Sequence, residues 1–235
     1  MASNSLSDRV VKVTIENFLS FKHAEVRLGK LNVLIGPNAS GKSNFTKALR
    51  LLRNHARLGY PALPDYRGFE DVTFGFNPYS KVRIGIEALL GGDKVEYELT
   101  VTREGYFEKA LVNGELALEG RGREGRAKVL MMEGGERRLV EVWGPSPATI
   151  SGAVSLLGYT PANASVLRDP PPNSVGGLVR LSSFLKSVSA HSFSPDVIRA
   201  RVGVKEAPVL DYRGRNLARI LLHLRLEERG AFSRV

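Results

Sequence analysis

The sequence predicts an α/β fold with an antiparallel β part and the start of a helical part. Three observations carry that expectation: an apolar run that ends in a glycine-rich loop, a helical period that begins directly after the loop, and a middle third that alternates with period two. The 235 residues are 43% hydrophobic, 25% charged and 8% aromatic, a globular composition that excludes disordered and fibrous proteins.

Val11, Val13 and Ile15 alternate with Lys12, Thr14 and Glu16, which predicts a strand with one buried face. A turn over Asn17 to Lys22 follows, then a return strand around Val26 and Leu28. Leu31 to Ile35 is continuously apolar and reads as a strand in the middle of a sheet. From Lys42 onward Phe45, Ala48, Leu49, Leu52 and Ala56 fall on one helix face, and Gly59 with Pro61 marks the end of that helix. Val82, Ile84 and Ile86, then Val95, Tyr97, Leu99 and Val101, predict two antiparallel strands joined at Gly91-Gly92-Asp93. Val129 to Met132 and Leu139 to Trp143 extend the same sheet, with Glu119 to Arg126 read as an exposed loop. Thr160 to Gly177, with four prolines and Gly176-Gly177, reads as an irregular connector. Helical patterns follow at Leu178 to Val188 and Asn216 to Glu228, the second with Leu217, Ile220, Leu221 and Leu224 as its apolar stripe. The expected organisation is therefore a strand-loop-helix unit over 1–60, an antiparallel β part of the same lobe over 61–159, the connector over 160–177 and a helical segment over 178–235.

Some chemistries are excluded outright. The chain has no cysteine, so disulfide scaffolds, thiolate metal sites and cysteine nucleophiles are out. His23, His55, His191 and His223 form no pair at metal-ligand spacing. No apolar run is long enough to cross a bilayer, and the polar N-terminus lacks the apolar core of a signal peptide, so a cytoplasmic protein without membrane contact is expected.

Gly36-Pro37-Asn38-Ala39-Ser40-Gly41-Lys42-Ser43 satisfies G-x-x-x-x-G-K-[ST] between an apolar run and an amphipathic helix. Glycines let the backbone curl so that successive N–H groups point inward, and the helix that follows adds the positive end of its dipole. A lysine in the position of Lys42 bridges β- and γ-phosphates, and a hydroxyl in the position of Ser43 ligates Mg²⁺. The expected ligands are ATP and Mg²⁺; the bland alternative is a glycine-rich strand-to-helix turn that binds nothing.

Asn17-Phe18-Leu19-Ser20-Phe21, then Leu31 to Ile35, then Gly36 to Asn44 resembles the N-terminal head of SMC/RecF-type ATPases, the ABC class of P-loop proteins. Ser192-Phe193-Ser194-Pro195 and Leu210 to Ala218 are more weakly similar to the segment entering the helical part of AAA-labelled, RecF-like ATPases. The resemblance implies an ABC-ATPase-like lobe in which Gly36, Pro37, Asn38, Ala39, Ser40, Gly41, Lys42 and Ser43 hold the phosphates and Asn44 adds a hydrogen bond near them. It places the Asn17 to Lys22 turn near the adenine, whereas packing alone equally accounts for Phe18 and Phe21.

The family's Walker B strand, four apolar residues followed by Asp and Glu, is not found. Only Asp211 after Ala207-Pro208-Val209-Leu210 comes near it, and Pro208 and Tyr212 break the pattern. Ser174-Val175-Gly176-Gly177 faintly echoes the family's serine-glycine signature and is assigned to the connector. The chain is thus expected to cover the N-terminal half of such a head, acting as a homodimer or with a partner chain that supplies the rest. No catalytic residue is assigned.

Thirty-four basic against 24 acidic residues leave a net charge of +10, which suits double-stranded DNA as a partner and equally an arginine-rich, well-solvated surface. The expected function is ATP binding in a RecF/SMC-like ATPase serving DNA repair, chromosome maintenance or defence. The alternatives are a nucleotide-gated interaction module without hydrolysis and a small P-loop kinase.

Overall fold

The computed structural model of the protein describes residues 8–145, 156–157, 164–199 and 210–227. Arg9–Phe18 (β1) and Phe21–Arg27 (β2) form a hairpin, and the helix Lys42–Leu58 (α1) follows it. Val82–Leu90 (β3), Asp93–Thr102 (β4), Gly105–Val112 (β5), Glu115–Arg121 (β6), Arg126–Glu133 (β7) and Glu136–Trp143 (β8) run as a meander. Gly176–Ser187 (α2), Pro195–Ile198 (α3) and Leu217–Glu227 (α4) complete the elements. The eight strands form one sheet in the order β2-β1-β3-β4-β5-β6-β7-β8, antiparallel at every pairing. The expected α/β fold with an antiparallel sheet is present.

Turn chemistry sets the meander's registers. Gly91-Gly92, Asn113-Gly114 and Gly134-Gly135 each place two consecutive residues at positive φ, as the two-residue turns with the twist of a hairpin require. One face of the sheet buries Val13, Ile15, Ile84, Ile86, Tyr97 and Leu99 beneath α1, α2 and the chain around Leu63 and Val72. The opposite face is a lattice of ion pairs that includes Lys12–Glu87 at 2.5 Å and Arg83–Glu16 at 2.8 Å. Exposed pairs of this kind contribute little to stability, but they keep that face wet.

β5 and most of β6 interrupt the alternation from which the sheet was read. Glu108 stands on the core face, 1% exposed, at a position that alternation in a sheet ordinarily gives to an apolar residue. Its carboxylate accepts a hydrogen bond from the Tyr97 hydroxyl at 3.1 Å and lies 3.0 Å from His55 Nε2 of α1. Gly120 pairs opposite Glu108 and leaves the space its carboxylate fills. Burial, reinforced by the adjacent Glu108 charge, holds the Tyr97 phenol well above its usual range, so it stays a hydrogen-bond donor. The expected loop over Glu119 to Arg126 shrinks accordingly: Glu119, Gly120 and Arg121 belong to β6 and Arg126 opens β7.

A second correction concerns Leu31 to Ile35. The segment joins no sheet, and Leu31, Val33, Leu34 and Ile35 are 86, 73, 45 and 91% exposed. Asn32 interrupts the apolar run and closes a turn with Gly29, whose N–H its Oδ1 accepts at 2.9 Å; among the described residues no neighbouring strand bonds the segment's backbone or covers its side chains.

The chain divides into two compact units, Met1–Val188 and Ser189–Val235. In the second, Asp211 precedes α4, and Leu217, Ile220, Leu221 and Leu224 are half-buried, while Leu222 and Leu226 are exposed. Ala207, Pro208, Val209, Arg201, Lys205, Arg229 and Arg234 lie outside the described residues, as do residues 160–163 of the connector.

Removing one partner of a buried hydrogen-bonded pair leaves the other unsatisfied in a dry site at a cost of about 1–3 kcal/mol. Glu108→Ala is therefore expected to lose roughly that much stability by urea unfolding. The double variant His55→Leu/Glu108→Leu should lose clearly less than the two single variants summed, because no unsatisfied partner remains. Additive losses would show that His55 and Glu108 do not act as a pair.

Candidate phosphate-binding site

The site is built on α1. Phe45, Ala48, Leu52 and Ala56 bury one stripe of the helix against the sheet, as its sequence pattern predicts. Leu51 and His55 are buried as well, widening the hidden face, because α2 packs along α1. Arg57 holds the two helices together, donating from Nε and Nη2 to the Lys186 carbonyl at 2.9 and 2.6 Å. At its C-terminus Gly59 turns left-handed and donates its N–H to the His55 carbonyl at 2.7 Å.

At the N-terminus the chain enters the helix through Ala39 at φ 64° and Gly41 at φ 93°. Such left-handed residues turn successive N–H groups to one side and leave a concavity suited to an anion. The Lys42 ammonium closes over this loop, donating to the carbonyls of Gly36 at 2.7 Å and Pro37 at 2.5 Å and to Ser40 Oγ at 3.2 Å. Ser43, the first-turn hydroxyl, is exposed to solvent, as are Gly36, Pro37, Asn38, Ala39 and Ser40. The contiguous motif thus folds into a contiguous cradle with one cation inside it.

Sequence reasoning missed what braces the cradle. Ser20, in the β1–β2 turn, accepts a hydrogen bond from Asn44 Nδ2 at 2.9 Å, so Asn44 spends its amide on the turn. A Cβ on Gly41 would lie 2.7 Å from Ser20 Oγ and 3.5 Å from the Phe21 ring. The turn is itself held from behind: Leu19 donates its N–H to the Val72 carbonyl at 2.7 Å, and Asn17 Nδ2 donates to the Lys81 carbonyl at 3.1 Å. Lys47, one helical turn past the loop, donates to the Tyr66 hydroxyl at 2.8 Å. The N-F-x-S-F spacing was the visible signal for this brace, although neither Phe18, fully buried, nor Phe21 presents a polar group to the loop.

The other candidates contribute differently. Asp211 lies in a turn, where its Oδ1 accepts the backbone N–H groups of Arg213 at 2.9 Å and Arg215 at 3.2 Å. Those bonds, chiefly that from Arg215, pull its carboxyl below the usual range, and nothing in its setting resembles the end of a buried strand. Ser174-Val175-Gly176-Gly177 sits at a helix start after all, since Gly176 opens α2. Asp93 Oδ2 lies 3.3 Å from where a Gly177 Cβ would stand, so a carboxylate already serves that helix end. Among the described residues no group of three or more His, Asp or Glu side chains is placed to hold a metal ion. An ion here would rest on Ser43 and on its ligand's own oxygens.

Residues 9–100 match the family described as AAA ATPase domain. Over 52 residues the chain is 40% identical to the DNA double-strand break repair Rad50 ATPase of Saccharolobus solfataricus, covering 21% of this chain and 6% of that protein. An uncharacterized protein of Methanocaldococcus jannaschii is 38% identical over 71 residues, covering 29% of this chain and 22% of its own length. Among solved structures, the recombination mediator RecF with ATP aligns at 21% identity and a TM-score of 0.39, over 49% of this chain and 29% of RecF. RecF-ATPrS aligns at 19% identity and a TM-score of 0.36, over 46% and 28%. This P-loop segment therefore spans less than a quarter of the length of either curated relative.

Gly41→Ala tests the brace. A non-glycine residue forced to positive φ costs about 1–3 kcal/mol, and the added methyl must also displace Ser20. The urea midpoint of the variant should fall accordingly; an unchanged midpoint would show that the turn and loop are not in contact.

Proposed function

We propose that the protein binds ATP with Mg²⁺ through Gly36, Pro37, Asn38, Ala39, Ser40, Gly41, Lys42 and Ser43, as part of an ATPase that works with DNA. The observation that carries this reading is the placement of the Lys42 ammonium and the Ser43 hydroxyl at one helix start behind a left-handed loop. A glycine-rich turn without a ligand has no use for both groups. In this reading Lys42 exchanges its carbonyl partners for β- and γ-phosphate oxygens, the backbone N–H groups take the remaining phosphate charge, and Ser43 offers an oxygen to the ion. Mg²⁺ bound there would neutralise phosphate charge; the residues present suit that task, since Ser43 is open to solvent.

Hydrolysis asks for more than the described residues contain. A carboxylate must orient water in line with the terminal phosphate, and Asp211 spends its oxygen on its own turn. The exposed run Leu31 to Ile35, directly before the loop, supports a second polypeptide segment, from a partner chain or a second copy, that pairs with it and completes the site. The names of the Rad50 and RecF relatives, and the net charge of +10, support double-stranded DNA as the macromolecular partner in repair or chromosome maintenance. No helix among the described residues is long and apolar enough to cross a membrane.

Calorimetry and phosphate release together test the nucleotide reading. Wild type should bind Mg·ATP and release negligible phosphate when alone, and Lys42→Ala should bind at least tenfold more weakly, since a charge-assisted contact to phosphate contributes about 1.5–3 kcal/mol. Equal affinities would overturn the assignment, and robust turnover by the chain alone would restore a hidden carboxylate to the site.

For DNA, a salt titration decides. Phosphate contacts release counterions, so affinity for a random-sequence duplex should fall steeply between about 50 and 200 mM salt. Binding that is absent at low salt, or flat across the titration, removes DNA from the partners.

A further inference from the structure

The loop after α1 presents aromatic side chains that the described residues leave open to solvent. Phe76 is 74% exposed and Tyr79 is 88% exposed, with Phe74 beside them also open to solvent. Phe76 does so at φ 56°, directly after Gly75 at φ 66°, a backbone conformation that a bulky residue avoids unless its surroundings impose it. The loop is nevertheless tied down. Phe76 N–H bonds the Thr73 carbonyl at 3.2 Å, Tyr79 N–H bonds Asn77 Oδ1 at 3.0 Å, and Ser80 N–H bonds the Asn77 carbonyl at 3.2 Å. An ordered loop that holds a ring in solvent at a backbone cost is presenting it to something.

Its position says to what. Among the described residues the non-glycine residues at positive φ are Asn17, Leu19, Ala39, Phe76 and Asn113. Asn113 belongs to an ordinary two-residue hairpin turn. The remaining four lie in three segments that touch in series: Ala39 in the phosphate loop, Asn17 and Leu19 in the turn that braces it, and Phe76 in the loop bonded to that turn. Thr73, where that loop begins, forms a bridge with Phe18. Four Cα steps of about 3.8 Å separate Phe76 from Val72, so Phe76 stays within about 15 Å of Val72, whose carbonyl accepts the N–H of Leu19 in the turn that touches Gly41. Backbone strain of this kind gathers where a ligand is held.

We propose that Phe76, seconded by Tyr79, is the stacking surface for the base of the nucleotide whose phosphates the loop around Lys42 holds. The inference rests on the nucleotide reading above and adds the chemistry that tells a nucleoside triphosphate from a bare polyphosphate. A base presents a flat face that gains from an aromatic ring whatever its hydrogen-bond pattern, so the contact favours purine nucleotides broadly and does not select one base. Exposure of the ring in the free protein follows, because its partner arrives with the ligand.

The test compares two ligands on the full chain by calorimetry: Mg·ATP and Mg·tripolyphosphate, titrated into wild type, Phe76→Ala and Tyr79→Ala. Wild type should prefer ATP, and Phe76→Ala should lose roughly five- to a hundredfold in ATP affinity while keeping its tripolyphosphate affinity. Phe76→Trp should gain a fluorescence change with ATP that tripolyphosphate does not produce, read against Trp143 in the wild type. Equal ATP affinity in wild type, Phe76→Ala and Tyr79→Ala overturns the inference while leaving the phosphate loop intact. So does an aromatic loop whose loss changes only self-association. A wild type that binds neither ligand overturns the nucleotide reading and this inference with it.

Discussion

The seat of α1 on the sheet governs everything at the phosphate loop, and the buried contact between His55 and Glu108 fixes that seat. Apolar packing alone lets a helix slide or roll at little cost, since Phe45, Ala48, Leu52 and Ala56 would meet similar surfaces after a small shift. A carboxylate in a dry core has no such tolerance: it must keep His55 and Tyr97 within hydrogen-bond distance. Tyr106 adds a second fixed point by donating to the Gly59 carbonyl at the end of the same helix, at 3.1 Å. With its C-terminal half pinned, α1 delivers its N-terminus to the turn at Ser20 with little freedom left.

How much of this could be read from the residues depended on whether neighbours in the chain were also neighbours in space. The phosphate loop and α1 were legible because motif, helix period and cap all lie within one stretch, Gly36 to Gly59. The hairpins flanked by Gly91-Gly92 were legible for the same reason. β5 was not, because Glu108 is acceptable on the core face only in the company of Tyr97, Gly120 and His55, three residues from three other elements. The brace at Ser20 and Asn44 was not legible: the family resemblance assigned the turn to the adenine and Asn44 to the phosphates, and the hydrogen bond between them joins residues 24 positions apart. Leu31 to Ile35 misled in the opposite way, since an apolar run announces a covered strand without saying which segment covers it.

The same region shows how separate requirements share one end of the fold. The turn at Leu19 and Ser20 touches the loop in front and the chain at Val72 behind, so it transmits position from the sheet to the cradle. Left-handed residues recur along that path, at Asn17, Leu19, Ala39 and Phe76. The sheet's far edge, from β6 to β8, has no part in this and carries ordinary hairpins with exposed ion pairs such as Arg137–Glu115.

The strand order also has a kinetic side. Six strands, β3 to β8, are joined by turns so short that each hairpin can zip locally, and β1 with β2 forms another such unit. Among the pairings of the eight described strands, that of β1 with β3 alone spans a long separation, bringing Glu16 beside Arg83 and enclosing the phosphate loop and α1 in the closed stretch. Loop closure is entropically costly before the contacts it permits can form. The topology therefore favours early hairpins and a late junction between them, and it is the late junction that assembles the cradle.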